Sequence, residues 1–230
     1  MSERNVGVVI VAAGSSTRVG GTELKQFRWV AGKAMLLHSL QAFMAHPRVV
    51  AVVCVIPRQY AADPPPWIFQ CDVDRLMVST GGRTRTESVS NGLYDLVDEA
   101  TAVLIHDAAR PFVEDATIDR VLAGVDAGHA TVPALPVVDT LKEAGDDGRV
   151  VRTVDRHGLW RAQTPQGFPR EMIMQVHETA ARQHLTATDD AGLCEAMDIP
   201  VHLVAGSERA MKITDEADFA RAEALFALRT

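Results

Sequence analysis

The sequence has few cysteines and no long apolar run, and each of these absences excludes a class of protein. Its three cysteines, Cys54, Cys71 and Cys194, are widely spaced and form no CxxC pair, so neither a zinc site nor a redox pair is indicated. An odd, small number of thiols is typical of a reducing compartment. No apolar run approaches the roughly 18 residues that span a bilayer, and residues 6–13 are too short for a secretory leader. We therefore expect a cytoplasmic protein with no membrane partner.

The chain also lacks an excess of positive charge. Its 23 Lys and Arg residues and 30 Asp and Glu residues give a formal net charge of -7 at pH 7. This balance argues against nucleic acid as a partner, because general nucleic-acid binding needs a basic face. A phosphorylated small molecule stays compatible, since a local cluster of Arg and Lys can dominate the field in one cleft. With 230 residues, of which 47% are hydrophobic, we expect one domain over residues 1–230 with a substantial core.

Apolar runs of strand length alternate with helical patterns along the chain. The runs are rich in Val, Ile and Ala rather than alternating with polar residues, which indicates strands buried on both faces. They cover residues 6–12, 49–55, 76–79, 102–106, 130–135 and 201–204. Helices are predicted at residues 35–43, 84–97, 118–125 and 215–228. This order predicts an α/β fold, a Rossmann-like three-layer α/β/α sandwich with a mostly parallel sheet, whose ligands gather at the carboxyl ends of the strands.

Residues 137–155 break this alternation. The runs 137–142 and 150–154 flank the sequence Gly-Asp-Asp-Gly, which is typical of a β-hairpin with an Asp-Gly turn. An isolated two-stranded hairpin is marginally stable in water. We therefore predict a protruding hairpin arm that needs a partner surface, which another subunit could supply. Residues 57–70, with three consecutive prolines, are expected to be a surface connection of little functional weight.

The most informative motif is an apolar strand that ends in Ala-Ala-Gly at residues 12–14 and continues into a polar loop. Small residues let the backbone approach a ligand closely, and hydrogen-bond donors and positive charge face it, which suits a nucleoside triphosphate. The loop does not match GxGxxG, because Ser16 stands where the second glycine would be, and it does not match GxxxxGK[ST] either. Ala-Ala-Gly alone would fit an ordinary strand-to-helix turn equally well. The cations Arg18 and Lys25 on the same loop favour a ligand site.

A second motif, HDAARP at residues 106–111, follows another predicted strand. A carboxylate at the end of a buried strand is well placed to hold Mg²⁺, which prefers carboxylate and phosphate oxygens. The alternative is that Asp107 only caps the following turn. His106 is interpreted as a histidine at the edge of the core rather than as a base or a ligand.

Three weaker signals lie elsewhere in the chain. Gly82 opens the helix predicted at residue 84, where backbone amides could hold a base or a ribose, and a flexible turn before a capped helix is the alternative. Lys212 lies in a strand-like run before the last helix and carries little information alone. Thr188 is a candidate N-cap before Asp189 and Asp190, which favours a helix start over a metal site.

These motifs together resemble those of one family. In chain order they are VAAGSSTRVG, LKQF, GGRTRTESV, HDAARPF, VVDTLKE, TVDRHGLWRAQTPQGF, TDDAGLCE and MKIT. This series is similar to that of the 2-C-methyl-D-erythritol 4-phosphate cytidylyltransferases, from about residue 6 to the C-terminal helix. The HDAARP and DR…GLWRAQTPQ blocks are the most specific, whereas the glycine loop alone indicates only a nucleotidyltransferase. Two departures stand out: Ser16 replaces a frequent glycine, and Glu208 replaces a usual aspartate.

The resemblance implies a nucleotidyltransferase-type fold and an enzyme that joins CTP to 2-C-methyl-D-erythritol 4-phosphate, releasing pyrophosphate, in non-mevalonate isoprenoid synthesis. It further implies Mg²⁺ as cofactor and a homodimer whose hairpin arms embrace the neighbouring subunit. The catalytic residues that it implies are Arg18, Lys25 and Lys212. The nucleotide is expected beside Ala12, Ala13, Gly14, Gly82, Ser88 and Asp107, with Asp107 also on the metal. The polyol phosphate is expected at Arg156, Thr140, Arg110, Thr164 and Glu208, with Arg156 presented from the partner's arm.

Two alternatives stay open at this point. A ribitol 5-phosphate cytidylyltransferase shares the fold, the loop and much of the motif set, and pyrophosphate release with each polyol phosphate would separate the two. A non-catalytic nucleotide-binding protein is the other alternative. Such a protein would not need every charge at the α-phosphate, whereas this chain has Arg18, Lys25, Asp107 and Lys212.

Overall fold

The computed structural model describes residues 5–14 and 24–228, and an eight-stranded sheet forms its centre. The strands are β1 (Val6–Val11), β2 (Trp29–Val30), β3 (Lys33–Ala34), β4 (Val49–Ile56), β5 (Leu76–Thr80), β6 (Ala102–Asp107), β7 (Ala130–Pro136), β8 (Leu141–Ala144), β9 (Val150–Val154), β10 (Trp160–Ala162), β11 (Gln166–Pro169) and β12 (Val201–Ala205). The helices are α1 (Met35–Ala45), α2 (Arg58–Ala61), α3 (Arg85–Tyr94), α4 (Asp115–Asp126), α5 (Arg170–Gln183), α6 (Asp190–Glu195) and α7 (Glu216–Ala227).

The sheet is mostly parallel, with the order β10-β7-β11-β6-β1-β4-β5 and with β12 beside β7. Strand β1 pairs in parallel with both β4 and β6, while β10 and β11 run antiparallel to their neighbours. Since β1 and β6 are in register from Val6 opposite Ala102 to Val11 opposite Asp107, both strands end at the same edge of the sheet. The loops that follow them are therefore neighbours.

Helices cover both faces of the sheet, as the unbroken apolar runs predict. On one face, Val8 and Ile10 of β1 pack in a buried cluster with residues of α1 and α4. On the other face, Val9 packs with residues of α3 and α5. All three β1 side chains are fully buried. The predicted three-layer α/β sandwich with a mostly parallel sheet is thus confirmed.

The structure adds elements that the sequence patterns did not reveal. Helix α5 buries Ile173, Val176, His177 and Ala180. These four positions have helical spacing, but one of them is a histidine, which interrupts the apolar pattern. Strands β10 and β11 have three and four residues and show no apolar run. The N-cap of α6 is Asp189, one residue after the predicted Thr188, and the N-cap of α7 is Asp215.

The proline-rich segment 57–70 is more than a surface connection. The rings of Tyr60 and Trp67 lie with centroids 5.1 and 5.4 Å from that of Phe27, both edge-on, and Ile68 is fully buried. Phe27 ends the 3-10 turn Lys25–Phe27. The segment therefore supports, from behind, the turn that carries Lys25.

Strands β8 and β9 form a separate antiparallel pair within residues 137–155, with Leu141 opposite Val154. Its apolar side chains include Val150 and Val151, which are 60% and 65% exposed. The role of this arm in dimerisation stays a prediction. Among the helices that the structure describes, none is long and apolar enough to cross a membrane.

Helix α3 approaches the sheet very closely at Gly92. A Cβ atom at this position would lie 2.5 Å from Cγ1 of Val9 and 2.8 Å from Cγ2 of Val55. Such a short separation forces the helix or the valines to move. This contact therefore fixes the distance between the C-terminal half of α3 and the sheet.

We predict that Gly92→Ala destabilises the protein. Alanine improves helix propensity by about 1 kcal/mol, but overpacking a close contact costs about 1–3 kcal/mol, so a net loss of up to about 2 kcal/mol is expected. Thermal unfolding should show a melting temperature lowered by about 2–4 °C per kcal/mol. Combining Gly92→Ala with Val9→Ala relieves the overlap, so the double variant should be less destabilised than the sum of the single variants. A raised melting temperature for Gly92→Ala would contradict the prediction.

Candidate active site

One cleft of about 530 Å³ lies at the carboxyl ends of β1 and β6 and at the start of α3. It brings together residues from five separate parts of the chain. The predicted site residues that line it are Ala12, Ala13, Gly14, Lys25, Gly82, Ser88, Asp107 and Lys212. Arg18, the remaining predicted contact of the triphosphate, lies outside the described residues.

The loop after β1 is held from both sides. The buried Gln26 donates its side-chain amide to the carbonyl oxygens of Ala12 and Gly14, the latter at 3.2 Å. Across the cleft floor, a Cβ atom at Gly81 would overlap the Cβ of Ala13, so only glycine lets the two loops meet. The Gly81 N–H also donates to Ile56 O at 2.7 Å. These contacts fix the loop after β1 against the loop after β5.

The loop that leads into α3 is organised by three side chains. Thr84 caps the helix by accepting from the Glu87 N–H at 3.0 Å. The Ser88 hydroxyl accepts from the Gly82 N–H at 3.0 Å and donates to Thr84 O at 2.8 Å. The Glu87 carboxylate accepts from the Arg83 side chain and from its backbone N–H, which lowers the pKa of Glu87. The turn at Gly82 is therefore tightly held.

Asp107 is the electrostatic centre of the cleft. Its Oδ2 accepts from Lys212 Nζ at 2.8 Å, and its Oδ1 lies 3.5 Å from Arg85 Nη2. Burial of this side chain, which is 16% exposed, raises its pKa, but Lys212 and Arg85 outweigh that effect and lower it to about 2. Asp107 is thus an ionised carboxylate between two cations at neutral pH.

A buried hydrogen-bond chain behind Asp107 determines the protonation of His106. The Arg110 carbonyl can only accept, so His106 Nε2 carries the proton of that 3.1 Å bond. His106 Nδ1 then accepts from the Thr164 hydroxyl at 3.0 Å, while Thr164 Oγ1 accepts from the Asp107 N–H at 3.1 Å. Burial lowers the pKa of His106 to about 4. His106 is therefore neutral at pH 7 and has both ring nitrogens in use, which does not suit a general base.

Of the residues predicted to bind the polyol phosphate, two lie behind the cleft and three at exposed positions. Arg110 donates to Ala210 O at 2.7 Å and to Ala162 O at 3.2 Å, and Thr164 is buried. Glu208 forms an exposed ion pair with Arg161 at 2.8 Å.

The other two exposed residues flank the strand pair of the arm, with Thr140 directly before β8 and Arg156 two residues after β9, and Arg156 donates to Val138 O. None of the five predicted polyol-binding residues is among the described residues that line the cleft.

The donor set in the cleft fits Mg²⁺ in one manner only. Within the described ranges, no group of three or more His, Cys, Asp or Glu side chains could hold a metal ion. Mg²⁺, however, is commonly bound through one or two carboxylates together with substrate phosphates and waters. The ionised Asp107 can supply one such carboxylate oxygen. The residues therefore fit an ion shared with a phosphorylated ligand and do not form a complete metal cage.

Two residues of the cleft were missed by sequence reasoning. Arg85 lines the cleft beside Asp107. It lies three residues after Gly82, at a predicted helix start, but no role was assigned to it from the sequence. Gln26 follows Lys25 and clamps the loop after β1, but nothing in the local pattern marks a glutamine as a loop clamp.

Comparisons with known proteins place these observations in one family. The profile described as 2-C-methyl-D-erythritol 4-phosphate cytidylyltransferase matches residues 6–228. A protein of that name from Pelotomaculum thermopropionicum is 39% identical over 97% of this chain and 95% of its own length. The "Bifunctional enzyme IspD/IspF" of Mesorhizobium japonicum is 43% identical over 94% of this chain. The chain spans only 54% of that relative's length, about half of it.

A solved structure gives the same result. The crystal structure of 2-C-methyl-D-erythritol 4-phosphate cytidylyltransferase from Thermus thermophilus matches with a TM-score of 0.81 and 35% identity. The match covers 96% of this chain and 98% of that one. The resemblance seen in the motifs is therefore confirmed.

The low pKa of His106 predicts a specific loss of stability in acid. An unfolded histidine binds its proton near pH 6.5, whereas folded His106 does so near pH 4. The unfolded state thus binds more protons as the pH falls from 6.5 to 4, so stability decreases over this window. His106→Gln should remove about 2–3 kcal/mol of the difference in unfolding free energy between pH 7 and pH 4.5. Urea unfolding at both values measures it.

Equal pH dependence in wild type and His106→Gln would show that His106 is not the group responsible.

Proposed function

We propose a cytidylyl transfer reaction for this chain, which belongs to the 2-C-methyl-D-erythritol 4-phosphate cytidylyltransferase family. CTP gives its cytidylyl group to 2-C-methyl-D-erythritol 4-phosphate, which yields 4-diphosphocytidyl-2-C-methyl-D-erythritol and pyrophosphate, a step of isoprenoid synthesis. The observation that carries the proposal is the cleft in which Lys25, Lys212 and Asp107 meet two glycine-containing loops. The names of the relatives favour methylerythritol phosphate over ribitol 5-phosphate as the acceptor.

The proposed chemistry is an in-line displacement at the α-phosphorus of CTP. A phosphate oxygen of the polyol forms the new P–O bond as the bond to the bridging oxygen breaks, and pyrophosphate leaves with that electron pair. The second pKa of a phosphate monoester is near 6, so the nucleophile is already ionised at neutral pH and needs no general base. The neutral, fully bonded His106 agrees with such a mechanism.

Because both reactants are anions, the protein must supply positive charge and hold the two in line. Lys25 Nζ donates to Ile213 O at 2.7 Å, which ties it to the residue after Lys212. The Ile213 N–H in turn donates to Ala109 O at 2.8 Å. Both lysines are thus held against the loop after β6, where the α-phosphate and the leaving group are proposed to lie. Arg18 is proposed to act with them.

Asp107 is the residue that would hold Mg²⁺ in this cleft. When bound, the ion would neutralise phosphate charge and orient phosphate oxygens. The contribution of the protein is electrostatic, since Lys212 and Arg85 keep Asp107 ionised and orient its carboxylate. Lys212, whose side chain is 44% exposed, is free to turn from the carboxylate towards an entering α-phosphate.

We also propose that the arm forms a homodimer and carries Thr140 and Arg156 into the partner's cleft. Three apolar side chains of the arm segment, Val138, Val150 and Val151, are each at least 60% exposed, and a second subunit would bury them. The cytoplasm is the proposed location, since Cys54, Cys71 and Cys194 are free thiols and such thiols suit a reducing compartment.

Pyrophosphate release tests the proposed activity directly. With CTP and Mg²⁺, the protein should release pyrophosphate with methylerythritol phosphate at least about tenfold faster than with ribitol 5-phosphate. Lys25→Ala should lower kcat by about a hundredfold to a thousandfold, the usual loss for one transition-state donor. The control Lys33→Ala, which removes a lysine bonded to Gln41, should leave kcat unchanged. An unchanged kcat with a raised KM for CTP in Lys25→Ala would indicate uniform binding instead.

Mixed dimers test the shared site. Arg156→Ala should spare CTP binding but lower kcat/KM for the polyol phosphate by about thirtyfold or more, because a charge-assisted phosphate contact is lost. Inactive Arg156→Ala chains mixed with inactive Lys25→Ala chains should recover activity, since one of the two sites is then complete. If such mixed dimers form and stay inactive, both residues serve the same subunit's cleft.

A further inference from the structure

We propose that Asp190 is a positioning residue for the nucleotide site, which it controls through Arg85 and Asp107. The inference rests on the proposed function, because it assigns a role in CTP binding. It concerns the TDD motif at residues 188–190, which the reaction described above leaves without a part.

The two aspartates of this motif have different surroundings. Asp189 caps α6, since its carboxylate accepts from the Gly192 N–H at 2.9 Å. Asp190 is the first residue of α6 and is fully buried. A buried carboxylate is costly unless it is paired and hydrogen-bonded. Asp190 meets two basic side chains, with Oδ2 2.7 Å from Arg85 Nη1 and Oδ1 3.0 Å from His177 Nε2.

The position of Asp190 is determined by elements from three parts of the fold. His177 of α5 contacts Asp190 through Nε2. Its other ring nitrogen, Nδ1, lies 3.0 Å from the hydroxyl of Ser90 on α3. The Gln166 side-chain oxygen, at the start of β11, accepts from the N–H groups of Asp190 and Ala191 at 3.1 and 3.0 Å. Neither the carboxylate nor its backbone can shift without breaking these bonds.

Arg85 connects this buried group to the cleft. Its guanidinium lies between Asp190 and Asp107, and only 24% of its side chain is exposed. Burial lowers the pKa of Arg85, but the two carboxylates outweigh this effect and raise it. One planar guanidinium, with five N–H donors in a rigid fork, can span two carboxylates in a fixed geometry. Arg85 therefore transmits the fixed position of Asp190 to Asp107.

The bonding of Arg85 is incomplete on the cleft side. Nη2 is buried and has no hydrogen-bond partner among the described residues, because its 3.5 Å approach to Asp107 is an ion pair only. Asp190 Oδ2 likewise has no well-aligned hydrogen bond within the described part of the chain despite its 2.7 Å contact. Charge rather than hydrogen-bond geometry thus holds Arg85. Without the charge of Asp190, Arg85 would turn towards Asp107 and compete there with Lys212.

Asp190→Asn removes the charge and keeps the shape, so it is the direct test. We expect the Kd for CTP with Mg²⁺, measured by calorimetry without any acceptor, to rise at least about tenfold. The KM for the polyol phosphate should change less than about threefold. In an Arg85→Ala background the same substitution should add less than about a twofold effect, because Asp190 acts through Arg85.

A second variant covers the case in which Asp190→Asn does not fold. His177→Gln removes one of the two basic partners of Asp190, and it should raise the Kd for CTP by about threefold in the wild-type background and not at all with Arg85→Ala.

The matched control is Asp126→Asn. Asp126 pairs with Arg48 at 2.7 Å near the amino end of β1, away from the cleft, so its loss should lower the melting temperature without changing the Kd for CTP. A lowered melting temperature with an unchanged Kd in Asp190→Asn would overturn the inference, as would additive effects with Arg85→Ala. If wild type binds no CTP, the proposed function fails together with the inference. CTP binding that Asp190→Asn and His177→Gln leave intact overturns the inference alone.

Discussion

The parallel pairing of β1 and β6 is the constraint on which the rest of the site depends. Their common register puts Val11 opposite Asp107, so the small-residue loop and the carboxylate leave the sheet side by side. Parallel strands bring such loops to one edge, and the side chains of β1 pack in a buried cluster on each face of the sheet, which holds the strand between the two helical layers. Lys25, Arg85 and Lys212 then reach that edge from three other parts of the chain.

Charge in this protein is distributed unevenly, and the cleft depends on that distribution. The whole chain is acidic, with a formal net charge of -7, yet Asp107 is the carboxylate in the cleft that Lys212 and Arg85 approach. In the absence of anionic ligands these cations are balanced partly by Asp107 and by the buried Asp190. A triphosphate that binds as proposed would meet positive charge already held in place, so little reorganisation would be needed when the transition state forms.

The sequence predicted the parts of the fold whose signals are local. Unbroken apolar runs identified the strands at residues 6–12 and 102–106, and their polar successors identified the cleft. Helix α5 was not predicted because one of its buried positions is His177, which binds Asp190 instead of filling an apolar core. The roles of Gln26 and Asp190 could not be predicted for a related reason. Their partners, Gly14 and Arg85, are 12 and 105 residues away in the chain, and only the folded sheet brings those partners within hydrogen-bond or ion-pair distance.

The arrangement also determines which group can titrate near neutral pH. Asp107, with a pKa of about 2, and His106, with a pKa of about 4, keep constant charges above pH 5. The two pKa values have different causes at adjacent positions in the chain. Lys212 and Arg85 in the cleft keep Asp107 ionised, and burial behind the cleft keeps His106 neutral. In the proposed reaction, the acceptor phosphate, with a second pKa near 6, is then the reacting group whose charge changes. In that reaction the protein would supply fixed charges, and the ionisation that creates the nucleophile would belong to the substrate.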